Sequence, residues 1–122
     1  MPNTKKRILC VDDNPDTCGM ISFLLRDYEV VCVSTAAEGR RQAESRDFAL
    51  IILDYLLPDG TGAALCSKIR SYDRRTPILF ITGTLRLSET DARRLGANGM
   101  LQKGRAFFVD ELRERVMQLA IA

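Results

Sequence analysis

The chain has 122 residues, with 18 Lys and Arg against 16 Asp and Glu, a formal charge of +2. That is the length of one domain, 1–122, large enough to hold an apolar core without a disulfide or a metal, and 46% apolar with 28% charged residues excludes a disordered chain. The near balance of charge argues against a dedicated nucleic-acid binder. The absence of histidine excludes Ser-His-Asp and Cys-His catalysis, His-ligated zinc and any phosphohistidine of its own.

The first residues, Met-Pro-Asn-Thr-Lys-Lys-Arg, do not resemble a signal peptide and lead straight into an apolar run at 8–11 that reads as a strand ending at Asp12-Asp13. Residues 15–27 follow with helical spacing, opened by Pro15 in the first turn and carrying Met20, Ile21, Leu24 and Leu25. The run 30–33 is the second strand. The helical pattern at 35–46 carries Ala36, Ala37 and Ala43, and its internal Gly39 marks a tight approach to the sheet. A third strand at 48–53 ends at Asp54. A third helix, 61–72, carries Ala64, Leu65 and Ile69. The fourth strand, 77–81, ends at Thr82. The fourth helix, 88–95, opens on Ser88-Glu89-Thr90-Asp91, which has the form of a capping box, and stops at Gly96. A short fifth strand at 100–101 ends near Lys103, before a helix at 107–120 carrying Phe108, Leu112, Val116 and Leu119.

The first four runs are continuously apolar, as expected of strands buried on both faces of a parallel sheet. Five β-α alternations imply right-handed crossovers and helices on both faces of that sheet. No apolar stretch approaches the ~18 residues of a membrane span. The cysteines, Cys10, Cys18, Cys32 and Cys66, form no C-x-x-C pair, which argues against zinc and thioredoxin-type sites. Cys10 and Cys32 lie inside apolar runs and are expected to be buried small hydrophobes. The pairs Arg40-Arg41, Arg74-Arg75 and Arg93-Arg94 read as solvated faces. The chain reads as a soluble, reduced, cytoplasmic protein.

Ligands of open α/β sheets sit beyond the carboxyl ends of the strands. Those ends carry Asp12, Asp13, Asp54, Thr82 and Lys103. An Asp-Asp pair after a strand is commonly just a helix cap, and Thr82 or Lys103 alone says little. Their joint position at one end of one sheet carries the argument. A like-charge pair about 4 Å apart costs up to about 4 kcal/mol at an effective dielectric near 20, so the three carboxylates call for a compensating cation. An all-oxygen site of this kind suits Mg²⁺. One carboxylate could then attack a phosphoryl donor to give an aspartyl phosphate, with Lys103 as a point charge on the phosphoryl oxygens and Thr82 as a hydrogen-bond donor.

From Lys6 to about Leu119 the chain resembles a response-regulator receiver domain of two-component signalling, single-domain and chemotaxis-regulator-like. The motifs that carry the resemblance are Ile-Leu-Cys-Val-Asp-Asp-Asn at 8–14, Leu-Ile-Ile-Leu-Asp-Tyr-Leu-Leu-Pro-Asp-Gly at 50–60, Thr-Pro-Ile-Leu-Phe-Ile-Thr-Gly at 76–83 and Gly-Ala-Asn-Gly-Met-Leu-Gln-Lys at 96–103. The resemblance implies a flavodoxin-like (βα)5 fold, a doubly wound five-stranded parallel sheet of order 2-1-3-4-5. It implies Asp54 as phosphoacceptor and Mg²⁺ held by Asp13 directly, Asp12 through water, Asp54, and the backbone carbonyl of Leu56. Thr82 is then the switch hydroxyl and Lys103 the phosphoryl-binding lysine. The implied partners are a sensor histidine kinase or histidine phosphotransfer protein and a downstream protein, with no nucleic acid and no membrane bound by this chain and no output domain within it. The chemistry is confined to its own phosphorylation and dephosphorylation.

Three positions depart from the family pattern. Met100 stands where Phe or Tyr is usual, Lys103-Gly104 replaces Lys-Pro, and the run into the last helix is about two residues longer. All three lie toward the face built from the fourth helix, fifth strand and fifth helix, where family members meet partners. The Lys103–Gly104 peptide is expected to be trans, because cis before a non-proline residue costs roughly 2.5–4 kcal/mol. Gly104 is expected to redirect the loop through positive φ while Lys103 still reaches Asp54. A phosphorylation-independent interaction module is the alternative. A haloacid-dehalogenase-type hydrolase is disfavoured: Asp59-Gly60-Thr61 is only superficially like its motif, and Asp54-Tyr55-Leu56 lacks the second Asp. Gly60-Thr61-Gly62 is not a nucleotide fingerprint, since Leu65 replaces its third glycine.

Overall fold

A computed structural model describes residues 5–83 and 87–121. Five strands lie parallel in one sheet: β1 (Arg7–Val11), β2 (Glu29–Val33), β3 (Leu50–Asp54), β4 (Ile78–Thr82) and β5 (Gly99–Gln102). Their order is β2-β1-β3-β4-β5, the flavodoxin-like order expected. The chain starts at β1, steps outward to β2, then returns past β1 to β3, so the direction of winding reverses between β1 and β3. The crevice of a doubly wound sheet opens at that reversal, beyond the strand carboxyl ends.

The helices are α1 (Pro15–Leu24), α2 (Ala36–Ser45), α3 (Gly62–Arg70), α4 (Glu89–Arg94) and α5 (Phe108–Leu119). Alternating strand residues feed two cores. Ile8, Cys10, Leu50, Ile52, Leu79 and Ile81 face Ile21 and Leu25 of the α1 segment and Phe108, Leu112 and Val116 of α5. Leu9, Val11, Ile51, Leu53, Ile78 and Phe80 face α2, α3 and α4. Each fully buried Ile, Leu or Phe contributes about 1.5–3 kcal/mol over an exposed one. Gly39 of α2 is where the helix meets the sheet: a Cβ there would stand 2.8 Å from Val11 Cγ2. The Ser88–Asp91 capping box is present. The paired arginines are exposed.

Several expectations are corrected. β2 is an edge strand, covered on one side only by a neighbour, and its residues are exposed or half-buried rather than buried on both faces. Cys32, which sits on it, is exposed; Cys10, in the interior strand beside it, is buried. α1 ends at Leu24 rather than 27, as the Leu25 N–H closes on the Ile21 carbonyl and the Tyr28 N–H on the Leu25 carbonyl. Met20 and Ala64 face solvent. β3 begins at Leu50, leaving Phe48 buried ahead of it. A two-stranded antiparallel hairpin, Leu56–Leu57 with Gly60–Thr61, was not foreseen. Among the described residues no helix is long and apolar enough to cross a membrane.

Candidate functional site

β1 delivers Asp12 and Asp13 to the crevice. The capping duty that an Asp-Asp pair could serve falls instead to Asn14, whose side chain accepts from the Asp16 N–H at 2.9 Å. Pro15, which has no N–H to offer, fills the next position. Asp12 is buried and accepts from the Asn14 N–H through Oδ1 at 2.9 Å, while Asp13 is exposed. β3 delivers Asp54, 7% exposed. One carboxylate oxygen from each of Asp12, Asp13 and Asp54 lies within 4.8 Å of the others.

Lys103 comes in from the loop after β5. Its N–H donates to the Thr82 carbonyl at 2.8 Å, which extends the β4–β5 ladder by one step. Gly104 then takes φ +80°, and no cis peptide occurs among the described residues. The trans bond, the positive φ at Gly104 and the reach of Lys103 to Asp54 are as expected. The Lys103 ammonium stands 2.7 Å from Asp12 Oδ2 and 3.2 Å from Asp54 Oδ2. It is therefore nearer to Asp12, a preference the sequence did not reveal. Asp13, Asp54, Leu56, Leu57, Pro58, Thr82, Gly83 and Lys103 line an open cleft of about 470 Å³. Thr82 is buried in its wall.

Burial raises the Asp54 carboxyl, the Asp12 charge raises it further, and Lys103 and the Leu56 N–H pull it back; the net is upward. Burial works to lower the Lys103 ammonium, but its hydrogen bond to Asp12 and the charges of Asp54 and Asp12 outweigh that and hold it above its ordinary value. The carboxyl is thus less acidic, and the amine more basic, than each would be in water.

The donor set fits a hard divalent cation. It is all oxygen and doubly or triply anionic. Asp12 Oδ2 is buried and is met among the described residues by the Lys103 ammonium at 2.7 Å, which leaves that oxygen a lone pair open. Such an oxygen has coordination capacity to spare.

Two sequence motifs resolve as structural devices. Asp59 accepts from the Ala36 and Ala37 N–H groups at 2.7 and 3.1 Å, capping α2 from across the chain. Thr61 is the N-cap of α3, accepting from the Ala64 N–H at 3.1 Å. Gly62 is dictated by packing: a Cβ would land on the Asp54 carbonyl oxygen and 2.9 Å from the Phe80 ring. Neither the hydrolase nor the nucleotide reading has a place here.

On the face beyond β5 the structure adds a contact the sequence reading missed. Glu89 of α4 pairs with Arg115 of α5 at 2.9 and 3.1 Å and accepts from the Met100 N–H of β5 at 3.0 Å. Met100 is half-buried against the core beneath α4. Glu89 was legible only as part of a cap; a carboxylate next to the Ser88 N-cap, with basic Arg115 one helix away, was the available cue.

A doubly wound parallel sheet with three carboxylates, a hydroxyl and a lysine gathered at its carboxyl edge is a flavodoxin-like α/β fold with an acidic pocket. The family model of the response regulator receiver domain matches residues 8–117, and the chain belongs to that family. Similar proteins include the transcriptional regulatory protein CiaR of Streptococcus pneumoniae, 31% identical over 115 residues, 93% of this chain and 50% of CiaR. The chain thus spans about half the length of that curated relative. A CheY-like receiver domain protein from Methanospirillum hungatei superposes with a TM-score of 0.86 at 27% identity, covering 96% and 94% of the two chains. The receiver domain of a sensor histidine kinase from Pseudomonas aeruginosa superposes with 0.85 at 27% identity, covering 98% and 100%, and its structure has a magnesium ion coordinated in the active-site cleft.

Proposed function

We propose that this receiver accepts a phosphoryl group on Asp54 from a histidine kinase or a histidine phosphotransfer protein, and that the modified domain changes its hold on a downstream protein. The observation that carries the reading is the Asp54 carboxylate at the cleft floor, with Lys103 3.2 Å away and Asp12 and Asp13 beside it. A carboxylate oxygen of Asp54 attacks phosphorus, a P–O bond forms as the donor's P–N bond breaks, and the donor imidazole leaves and takes up a proton from solvent. These 122 residues hold no histidine, so the phosphoryl group comes from a donor outside them.

Asp12, Asp13 and Asp54, with the Leu56 carbonyl, are the groups that would hold Mg²⁺. Bound there, Mg²⁺ supplies charge neutralisation among the carboxylates and polarises phosphoryl oxygens. Lys103 holds a phosphoryl oxygen as a compact positive charge, and Thr82 donates its hydroxyl to another. The same groups serve hydrolysis of the aspartyl phosphate, so the chain acts on itself and is not a conventional enzyme. Four free cysteines fit a reducing compartment, and we place the protein in the cytoplasm.

The test is incubation with acetyl phosphate and Mg²⁺ followed by intact-mass analysis. One phosphoryl group is expected on the parent and none on Asp54→Asn. Equal labelling of the variant overturns the assignment. An unlabelled parent that still binds its partner favours a phosphorylation-independent module.

A further inference from the structure

The acceptor chemistry leaves the cysteines unused, and they divide three to one. Cys66 is buried beneath the end of α4, its thiol donating to the Leu95 carbonyl at 3.3 Å. The other three converge. Cys10 of β1 and Cys32 of β2 are register partners on adjacent parallel strands, so their side chains leave the same face of the sheet. α1 lies over that face and contributes Cys18. The three sulfurs all lie within 4.8 Å of one another.

The trio runs from core to solvent: Cys10 is buried, Cys18 half-buried and Cys32 exposed. The Cys18 thiol reaches the Asp12 carbonyl at 3.4 Å, and Cys32 Sγ lies 3.6 Å from Ser22 Oγ and 3.8 Å from the Cys18 carbonyl. Cysteine as a small hydrophobe accounts for Cys10. It does not account for an exposed thiol at a sheet edge facing two others.

We propose that Cys10, Cys18 and Cys32 form a three-thiolate site for a soft d10 cation, Cu(I) in preference to Zn(II). Thiolates select soft ions. Structural zinc takes four protein ligands, whereas the trio offers three and the chain has no histidine to complete a zinc set. Cu(I) is satisfied by three sulfurs in a plane. Sulfurs each about 2.3 Å from a central ion stand about 4 Å apart, so small torsional shifts within the present rotamers, moving each sulfur by less than about an ångström, close the group around it. Cys32 provides the way in from solvent. On loading, three S–H bonds release protons to water, three S–Cu bonds form, and the copper stays Cu(I) throughout. The site is distinct from the carboxylate cleft and does not rest on the phosphoacceptor reading.

The whole chain, reduced and kept anaerobic, is titrated with Cu(I) against the chelator bathocuproine disulfonate and, separately, with Zn(II) against a chromophoric indicator. The parent is expected to hold one equivalent of Cu(I), seen by native mass and thiolate-to-copper absorption. Cys32→Ser, which alters only an exposed side chain, and Cys18→Ser are each expected to weaken binding on the order of 100-fold. Cys66→Ala is expected to bind as the parent does. Far-ultraviolet circular dichroism confirms that each variant is folded. A parent that yields all its copper to the chelator, a Cys32→Ser variant that binds as tightly as the parent, or stoichiometric Zn(II) with copper refused overturns the proposal.

Discussion

Replacing Lys103 by Met removes the ammonium 2.7 Å from Asp12 and 3.2 Å from Asp54, in a setting where the three side chains are 22%, 0% and 11% exposed. What remains is three carboxylates, Asp12, Asp13 and Asp54, with oxygens within 4.8 Å of one another, and a like-charge pair at that distance repels by about 3.5 kcal/mol at an effective dielectric of 20. Removing one partner of a buried pair costs ~3–5 kcal/mol; because this cleft opens to water, the lower end, about 3 kcal/mol, is expected at neutral pH. The protein can relieve part of that by protonating Asp54, whose carboxyl is already raised by burial and by Asp12. Without Lys103 it rises further, each unit being about 1.36 kcal/mol. A carboxyl whose folded-state value lies above its unfolded value costs nothing below the unfolded value, where both states are protonated. The cost grows as pH climbs through the interval between the two and is constant above it. The deficit of Lys103→Met relative to the parent should thus be full near about pH 7.5 and shrink toward about pH 4.5. Urea unfolding of both proteins in EDTA at the two pH values measures it. A variant as stable as the parent at the higher pH, or a deficit that does not shrink at the lower, refutes the electrostatic account.

In the parent, millimolar Mg²⁺ is expected to raise the melting temperature over EDTA, by an amount corresponding to about 2.7 kcal/mol once free metal reaches 100 times its dissociation constant; Asp13→Ala should abolish the rise in a calorimetric melt. Gly62→Ala, which drives a methyl group into the Asp54 carbonyl and the Phe80 ring, is expected to cost about 3 kcal/mol, read as a lowered urea midpoint; an unchanged midpoint would show that the contact yields freely. Glu89→Gln should cost only about 0.5–1 kcal/mol, since the Glu89 side chain is 39% exposed, but should speed hydrogen exchange at the Met100 amide. Burial opposes the ionised form of Glu89, while the Met100 N–H and Arg115 more than offset it and lower the carboxyl. The contribution is therefore present above the unfolded value and is lost as pH falls through the folded one.

The interior strands were legible because a run such as Leu50-Ile51-Ile52-Leu53 admits no solvent face. β2 looks the same in composition, and only its place at the sheet margin, decided by pairing far along the chain, leaves Cys32 in water. Asp12, Asp13, Asp54, Thr82 and Lys103 were legible as a group because a strand's carboxyl end is readable from where its apolar run stops. Their division of contacts was not, since whether Lys103 sits nearer Asp12 or Asp54 depends on the loop through Gly104. The role of Asp59 was hidden for a related reason: its cap lies on α2, more than 20 residues earlier. Its neighbours Leu56–Leu57 and Gly60–Thr61 pair over too short a length to leave a periodic signal. The thiols were read singly because positions 10, 18 and 32 become neighbours only through the register of β1 on β2.

The Glu89 carboxylate holds a helix on one side, a helix on the other and a strand amide between them. A shift of Met100 that breaks its amide contact also leaves the carboxylate to re-aim at Arg115, and a tilt of either helix tugs on the strand. The panel formed by α4, β5 and α5 is therefore joined at one carboxylate. Movement of any one of the three is passed to the other two through a single, partly solvent-exposed side chain.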